Sequence, residues 1–143
     1  MSEPLTLDQA GVLEVLPHRE PFLFVHGVSD LLPGQSARGF VSVPADHPYT
    51  FGQPHVPAGL IIEAMAQLGG IAVLYERRAE NIVALFRSVA DFTMERTVDF
   101  GQRIDLFAEV GRIRGPFAEV QASASTGGEP IASATLAFAL PRE

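Results

Sequence analysis

From Leu60 to Tyr75 every position is apolar except Glu63 and Gln67. A helix without a polar stripe belongs inside a protein core or a membrane. A membrane span needs roughly 20 apolar residues. This run is shorter and carries a carboxylate, an amide and the adjacent glycines Gly69 and Gly70, which points to a core helix within Pro57–Arg78. The flanking segments read differently. Thr6–Val15 predicts a short helix, with Thr6 as N-cap and Asp8 in its first turn. Leu16–Pro21 is a proline-bounded loop. Phe22–Leu32 and Gln35–Val43 predict two strands joined by a turn at Pro33-Gly34. Pro44–Val56 is a long connection loaded with Pro, Gly and His, the kind of loop that tends to carry function.

After the helix, four strands are predicted over Asn81–Ala90, Arg103–Arg114, Phe117–Thr126 and Pro130–Leu140. Ala118, Val120, Ala122 and Ala124 alternate onto one face of the third. Asp91–Phe100 fits either a loop or a short edge strand. One apolar helix and a run of antiparallel strands pack most economically as a curved sheet around the helix. The expected class is therefore α+β, a hot-dog fold over residues 1–143 as one domain. A sheet of five or six strands with open edges is expected to dimerise into a double hot-dog.

Composition narrows the function. At 47% hydrophobic and 19% charged, the 143-residue chain has enough apolar surface for one core. It has no cysteine, which removes disulfides, thiolate chemistry and cysteine zinc sites. The net charge is −7 and every basic residue is Arg, without a basic cluster interleaved with aromatics. Nucleic acid and anionic lipid are thus not expected as partners. The first residues show neither a basic nor an apolar signal region, so the cytoplasm is the expected location.

Glu63 is the leading chemical candidate. An ionised carboxylate on an apolar helix costs several kcal/mol unless paired or protonated, the state that acid–base enzymes exploit. The structural alternative is a Glu that reaches solvent or pairs with an Arg. Gln67 lies one turn on, on the same face, either as a packing amide or as the group that orients Glu63 or a water. His47, in the loop before the helix, is a candidate base. His55 is the alternative base, but about 12 Å along the helix axis separates it from Glu63. His18 and His26 read as structural. Gly69 and Gly70 each cost the helix about 1 kcal/mol, which makes sense if something approaches the backbone there or the packing is tight.

Two segments carry a resemblance. Leu16-Pro17-His18-Arg19-Glu20-Pro21-Phe22-Leu23-Phe24-Val25-His26 and Pro57-Ala58-Gly59-Leu60-Ile61-Ile62-Glu63-Ala64-Met65-Ala66-Gln67 resemble the 3-hydroxyacyl-[acyl-carrier-protein] dehydratases of the hot-dog fold. By that resemblance Glu63 matches the catalytic acid, and Gly70 the position whose backbone N–H binds the thioester oxygen. Catalytic His and Glu would come from different subunits, at the end of a tunnel for the acyl chain. The family's His lies fourteen residues before its Glu, where this chain has Tyr49; His47 matches if the loop is two residues longer. Glu20 replaces an aromatic that gates the tunnel in the family, and His26 replaces an Asp. Asp91–Gln102 is less basic than the family's equivalent.

The function expected is dehydration of 3-hydroxyacyl thioesters, with His47 and Glu63 catalytic and Gly70 and Gln67 on the substrate. No metal or redox cofactor is expected, because losing water changes no oxidation state. The resemblance implies a substrate carried on the phosphopantetheine of acyl carrier protein or on coenzyme A, and a homodimer or higher homo-oligomer. The alternatives are an acyl thioesterase in which Glu63 activates water, and a non-catalytic acyl-binding relative.

Overall fold

The structure is a computed structural model that describes residues 3–80 and 82–140. Helix α2, Ala58–Leu74, is the axis around which the rest is built. Its residues Ala64 to Ala72 are all buried. A six-residue 3₁₀ segment, Tyr75–Glu80, continues it. By length and mean hydropathy (1.6) the run Ala58–Glu80 would suffice to cross a membrane, but 61% of its apolar window is enclosed by the fold.

A seven-stranded antiparallel sheet curves around this helix: β1 Leu5–Leu7, β2 Gly27–Leu32, β3 Ser36–Ser42, β4 Leu85–Met94, β5 Arg103–Arg114, β6 Phe117–Thr126 and β7 Glu129–Ala139. Their spatial order is β1-β2-β3-β5-β6-β7-β4. This is the hot-dog arrangement expected from the sequence, with more strands than expected. Alternation sets the inner face: Ile104, Leu106 and Ala108 on β5, and Ala118, Val120, Ala122 and Ala124 on β6, are all buried. Small side chains there let the helix come close. A Cβ on Gly69 would lie 3.3 Å from Val120 and 3.4 Å from the Phe138 ring.

Three boundaries differ from the sequence reading. The N-cap is Asp8, whose side chain accepts from the Gly11 N–H at 2.9 Å, and helix α1 spans Gln9–Val15. Thr6 lies instead in β1, which pairs with β2, and its hydroxyl donates to the Ser29 carbonyl. Phe22–His26 precedes the ladder rather than forming part of it, because several of its backbone groups go elsewhere: the Phe22 N–H donates to the Arg19 carbonyl, the Phe24 N–H donates to Gln67 Oε1 and the Phe22 carbonyl accepts from Gln67 Nε2, while the His26 N–H reaches the Phe40 carbonyl of β3. Finally, β4 runs on past Ala90 to Met94 through a bulge. Asp91 takes φ 53° there, a conformation that Asp tolerates better than most residues. Asn81, the predicted start of that strand, lies outside the described residues.

Strand β4 is an edge, paired only with β7. Leu85, Phe86 and Val89 on it are 53%, 40% and 38% exposed.

Candidate active site

The chain leaves α1 at Leu16 and turns through Pro17 and His18. Arg19 pins this turn, donating to the carbonyls of Leu16 and His18 at 2.8 Å each. The turn sits over the α2 stripe formed by Glu63, Gln67 and Gly70, at helical spacings of four and three. Together with Val83, Ala84, Phe86 and Phe138 they enclose a mostly apolar cavity. The Phe86 and Phe138 rings stack at 5.6 Å between centroids in its wall.

Within the cavity the polar groups are ordered from the inside out. Gln67 is 2% exposed. Its Oε1 accepts from Phe24 N–H at 2.7 Å, and its Nε2 donates to the Phe22 carbonyl at 2.8 Å and to Glu63 Oε1 at 3.2 Å. The two backbone partners fix which way the amide faces, so Glu63 meets an N–H and not a carbonyl. Gln67 thus spends its hydrogen bonds on the protein and acts on Glu63, not on an open ligand position. His18 Nε2 approaches the same Oε1 at 3.5 Å.

Glu63 is half-buried, and its carboxyl lies below the usual carboxylate range. Burial is the largest single influence and pushes upward; the approach of His18, the Gln67 amide and the charge of His18 together outweigh it. Burial alone, the cost that an apolar helix imposes on a carboxylate, would raise it, and the neighbours reverse that.

Gly70 lines the cavity, with Leu16 the nearest side chain to the Cβ it lacks, at 3.8 Å. It lies inside α2, where the helical ladder claims its N–H. The N–H expected to bind a thioester oxygen is therefore already engaged, and what the glycine contributes here is room.

The two loop histidines lie elsewhere. His47 is 6% exposed and lines a second cavity, with Glu20, Phe24 and His26 among its walls. Its Nδ1 accepts from the Tyr49 N–H at 3.1 Å, so Nε2 carries the proton and donates to the Pro21 carbonyl at 2.8 Å. Nδ1 is thus the basic nitrogen. The structure does not bring His47 to Glu63 of its own chain. His55 is exposed and tied to Asp99, Nδ1 to Oδ1 at 2.7 Å, in a short antiparallel bridge. Glu20 and His26 approach each other at 3.6 Å.

His18, read from the sequence as structural, is the histidine that shares a cavity with Glu63. The signal available for it was a loop held between Pro17 and Pro21 and followed by Arg19. That is a rigid mount, although nothing in it says which helix the mount faces.

Residues 16–135 match the FabA-like domain family. The chain is 35% identical over 138 residues to the 3-hydroxyacyl-[acyl-carrier-protein] dehydratase FabZ of Pelotomaculum thermopropionicum, covering 94% of this chain and 99% of that protein. It is 31% identical over 138 residues to the enzyme of the same name from Bacillus subtilis, covering 94% and 98%. The fold superposes on a chain of the dehydratase heterocomplex ApeI:P from Xenorhabdus doucetiae with a TM-score of 0.81, at 18% identity and covering 92% and 91% of the two chains. By match along nearly its whole length, this chain belongs to the FabA-like family and stands among the 3-hydroxyacyl-[acyl-carrier-protein] dehydratases.

Proposed function

We propose that the protein removes water from 3-hydroxyacyl thioesters, giving trans-2-enoyl thioesters in acyl-chain biosynthesis. The observation that carries this reading is Glu63, alone as a carboxylate in an apolar cavity and held on one oxygen by Gln67. Elimination needs a base for the α-proton and an acid for the departing hydroxyl. Glu63 is the acid. An acyl chain filling the cavity expels water, which strengthens the upward pull of burial and favours the protonated carboxyl.

His47 is the base, supplied by a second copy of the chain. Its Nδ1 exchanges the Tyr49 N–H for the α-proton, and the Pro21 carbonyl steadies the resulting imidazolium through Nε2. A homodimer is therefore part of the proposal. Supporting it is β4, a ten-residue edge strand with Leu85, Phe86 and Val89 exposed on it. The acyl group arrives as a thioester of acyl carrier protein, the carrier in the relatives' names, or of coenzyme A. Neither role calls for a metal or redox cofactor.

The test is incubation with 3-hydroxyacyl-coenzyme A and 3-hydroxyacyl-carrier thioesters, following enoyl absorbance and free thiol together. Enoyl product without thiol is expected. Thiol without enoyl product sinks the proposal in favour of a thioesterase, and neither product in favour of a binding protein.

A further inference from the structure

We propose that His18 is a positioning residue for Glu63: with Gln67 it fixes Oε1, so that Oε2 is the oxygen presented to the substrate. The inference rests on the dehydratase reading and extends it to a residue outside the expected pair.

The contacts divide the carboxylate into two unequal oxygens. Oε1 is met by Gln67 Nε2 at 3.2 Å and by His18 Nε2 at 3.5 Å. The amide is a donor there, since its own Oε1 is taken by the Phe24 N–H. A carboxylic proton therefore belongs on Oε2, the oxygen from which it can be given to a leaving hydroxyl. The tautomer of His18 follows from its other nitrogen. Nδ1 is buried and has no hydrogen-bond partner. A buried N–H without an acceptor is rarer than a bare lone pair, so the proton of the neutral ring belongs on Nε2, facing Glu63. The ring is held for this task. Arg19 clamps the turn through the Leu16 and His18 carbonyls, and a third contact reaches the Leu13 carbonyl at 3.3 Å.

Within one copy of the chain no other titratable side chain lines this cavity among the described residues; in the proposed dimer His47 of the second copy faces it as well. Besides Glu63 and His18, the cavity is lined by aliphatic, aromatic, glycine and amide residues. Of the other charged residues near the turn after α1, Arg19 is directed to the Leu13, Leu16 and His18 carbonyls and Glu20 approaches His26, and neither lines the cavity. A change at His18 should therefore register on Glu63 directly.

The experiment compares wild type, His18→Leu and His18→Gln, the last of which keeps an N–H near the position of Nε2. Two quantities are read: kcat and KM for a 3-hydroxyacyl-coenzyme A thioester across pH, and the titration of the ¹³C-labelled Glu63 carboxyl by NMR, assigned with Glu63→Gln. For His18→Leu the expected result is a loss of about ten- to a hundredfold in kcat, the scale of a misplaced catalytic group, with KM little changed. The carboxyl should titrate at higher pH, because burial is then less opposed. His18→Gln should recover most of kcat. An unchanged carboxyl titration and kcat in His18→Leu overturns the proposal. So does equal loss in both variants with the titration unmoved, since that marks a packing role. A wild type that forms no enoyl product overturns the dehydratase reading instead, while the carboxyl titration still decides whether His18 governs Glu63.

Discussion

At the scale of single residues, Glu63 is where chemistry and sequence agree most directly. A lone carboxylate in an apolar run stands out in the sequence itself, because burial makes its charge costly. What its neighbours do to it does not. His18 is separated from it by two strands and a long loop, and only the packing of the turn over α2 brings them together. Glu63→Gln should keep the fold and lower turnover by about 10²–10⁴-fold, the usual worth of a general acid; a steady-state assay with a melting curve as control decides it. The same residue predicts a pH dependence. Its folded pKa lies below the ordinary 4.5, so its contribution to stability is present above that value and is lost as pH falls through the folded pKa. The effect is modest for a half-exposed group. Denaturant melts between pH 6 and 3 should show wild type losing slightly more stability than Glu63→Gln. Among the histidines, His47→Ala should abolish dehydration while His55→Ala, which only breaks the exposed contact with Asp99, leaves most of it. The reverse order of effects would move the base to His55.

At the scale of elements, the hairpin of β5 and β6 was legible to the residue, since Gly115-Pro116 marks its turn and the alanines of β6 alternate cleanly. The start of α1 and the first half of β2 were not. Asp8 and Thr6 are both good caps, and which one wins depends on whether Leu5–Leu7 finds a strand to pair with. Phe22–His26 has strand composition, but a side chain on α2, Gln67, takes the Phe24 N–H and the Phe22 carbonyl. Helix α2 also separates the two glycines that the sequence could treat only as a pair. Gly69→Ala would press a methyl against Val120 and Phe138, an overpacking that typically costs about 1–3 kcal/mol. Gly70→Ala meets no such contact and should gain about 1 kcal/mol from helix propensity. Its methyl would enter the cavity that Glu63 also lines, about two helical turns away, so kcat/KM should fall by about tenfold or more. Thermal melts and kinetics on the two variants check this: a destabilised Gly70→Ala, or one of full activity, contradicts the assignment.

At the scale of the whole molecule, the hot-dog class followed from one apolar helix among strands, whereas the seventh strand did not. β1 has three residues, too few to show a period, and β4 hides its continuation behind Asp91. The exposed edge of β4 predicts self-association. Sedimentation should give at least a dimer, and Val89→Arg should shift it towards monomer with loss of turnover. An active monomer would contradict the shared site.

The order in which the chain is made gives the apolar helix a further consequence. Strands β5, β6 and β7, which cover much of α2, all follow it in the sequence. A nascent chain that has cleared the ribosome only as far as Glu80 therefore leaves much of Ala58–Glu80 uncovered, with the hydropathy of a membrane segment. Until the last three strands emerge, that stretch is a target for chaperones, for lipid and for other nascent chains. A fragment ending at Glu80 should pellet or bind vesicles, while the full chain does neither. Slowing translation between Glu80 and Arg103 should lower the yield of folded protein more than the same delay placed before Ala58.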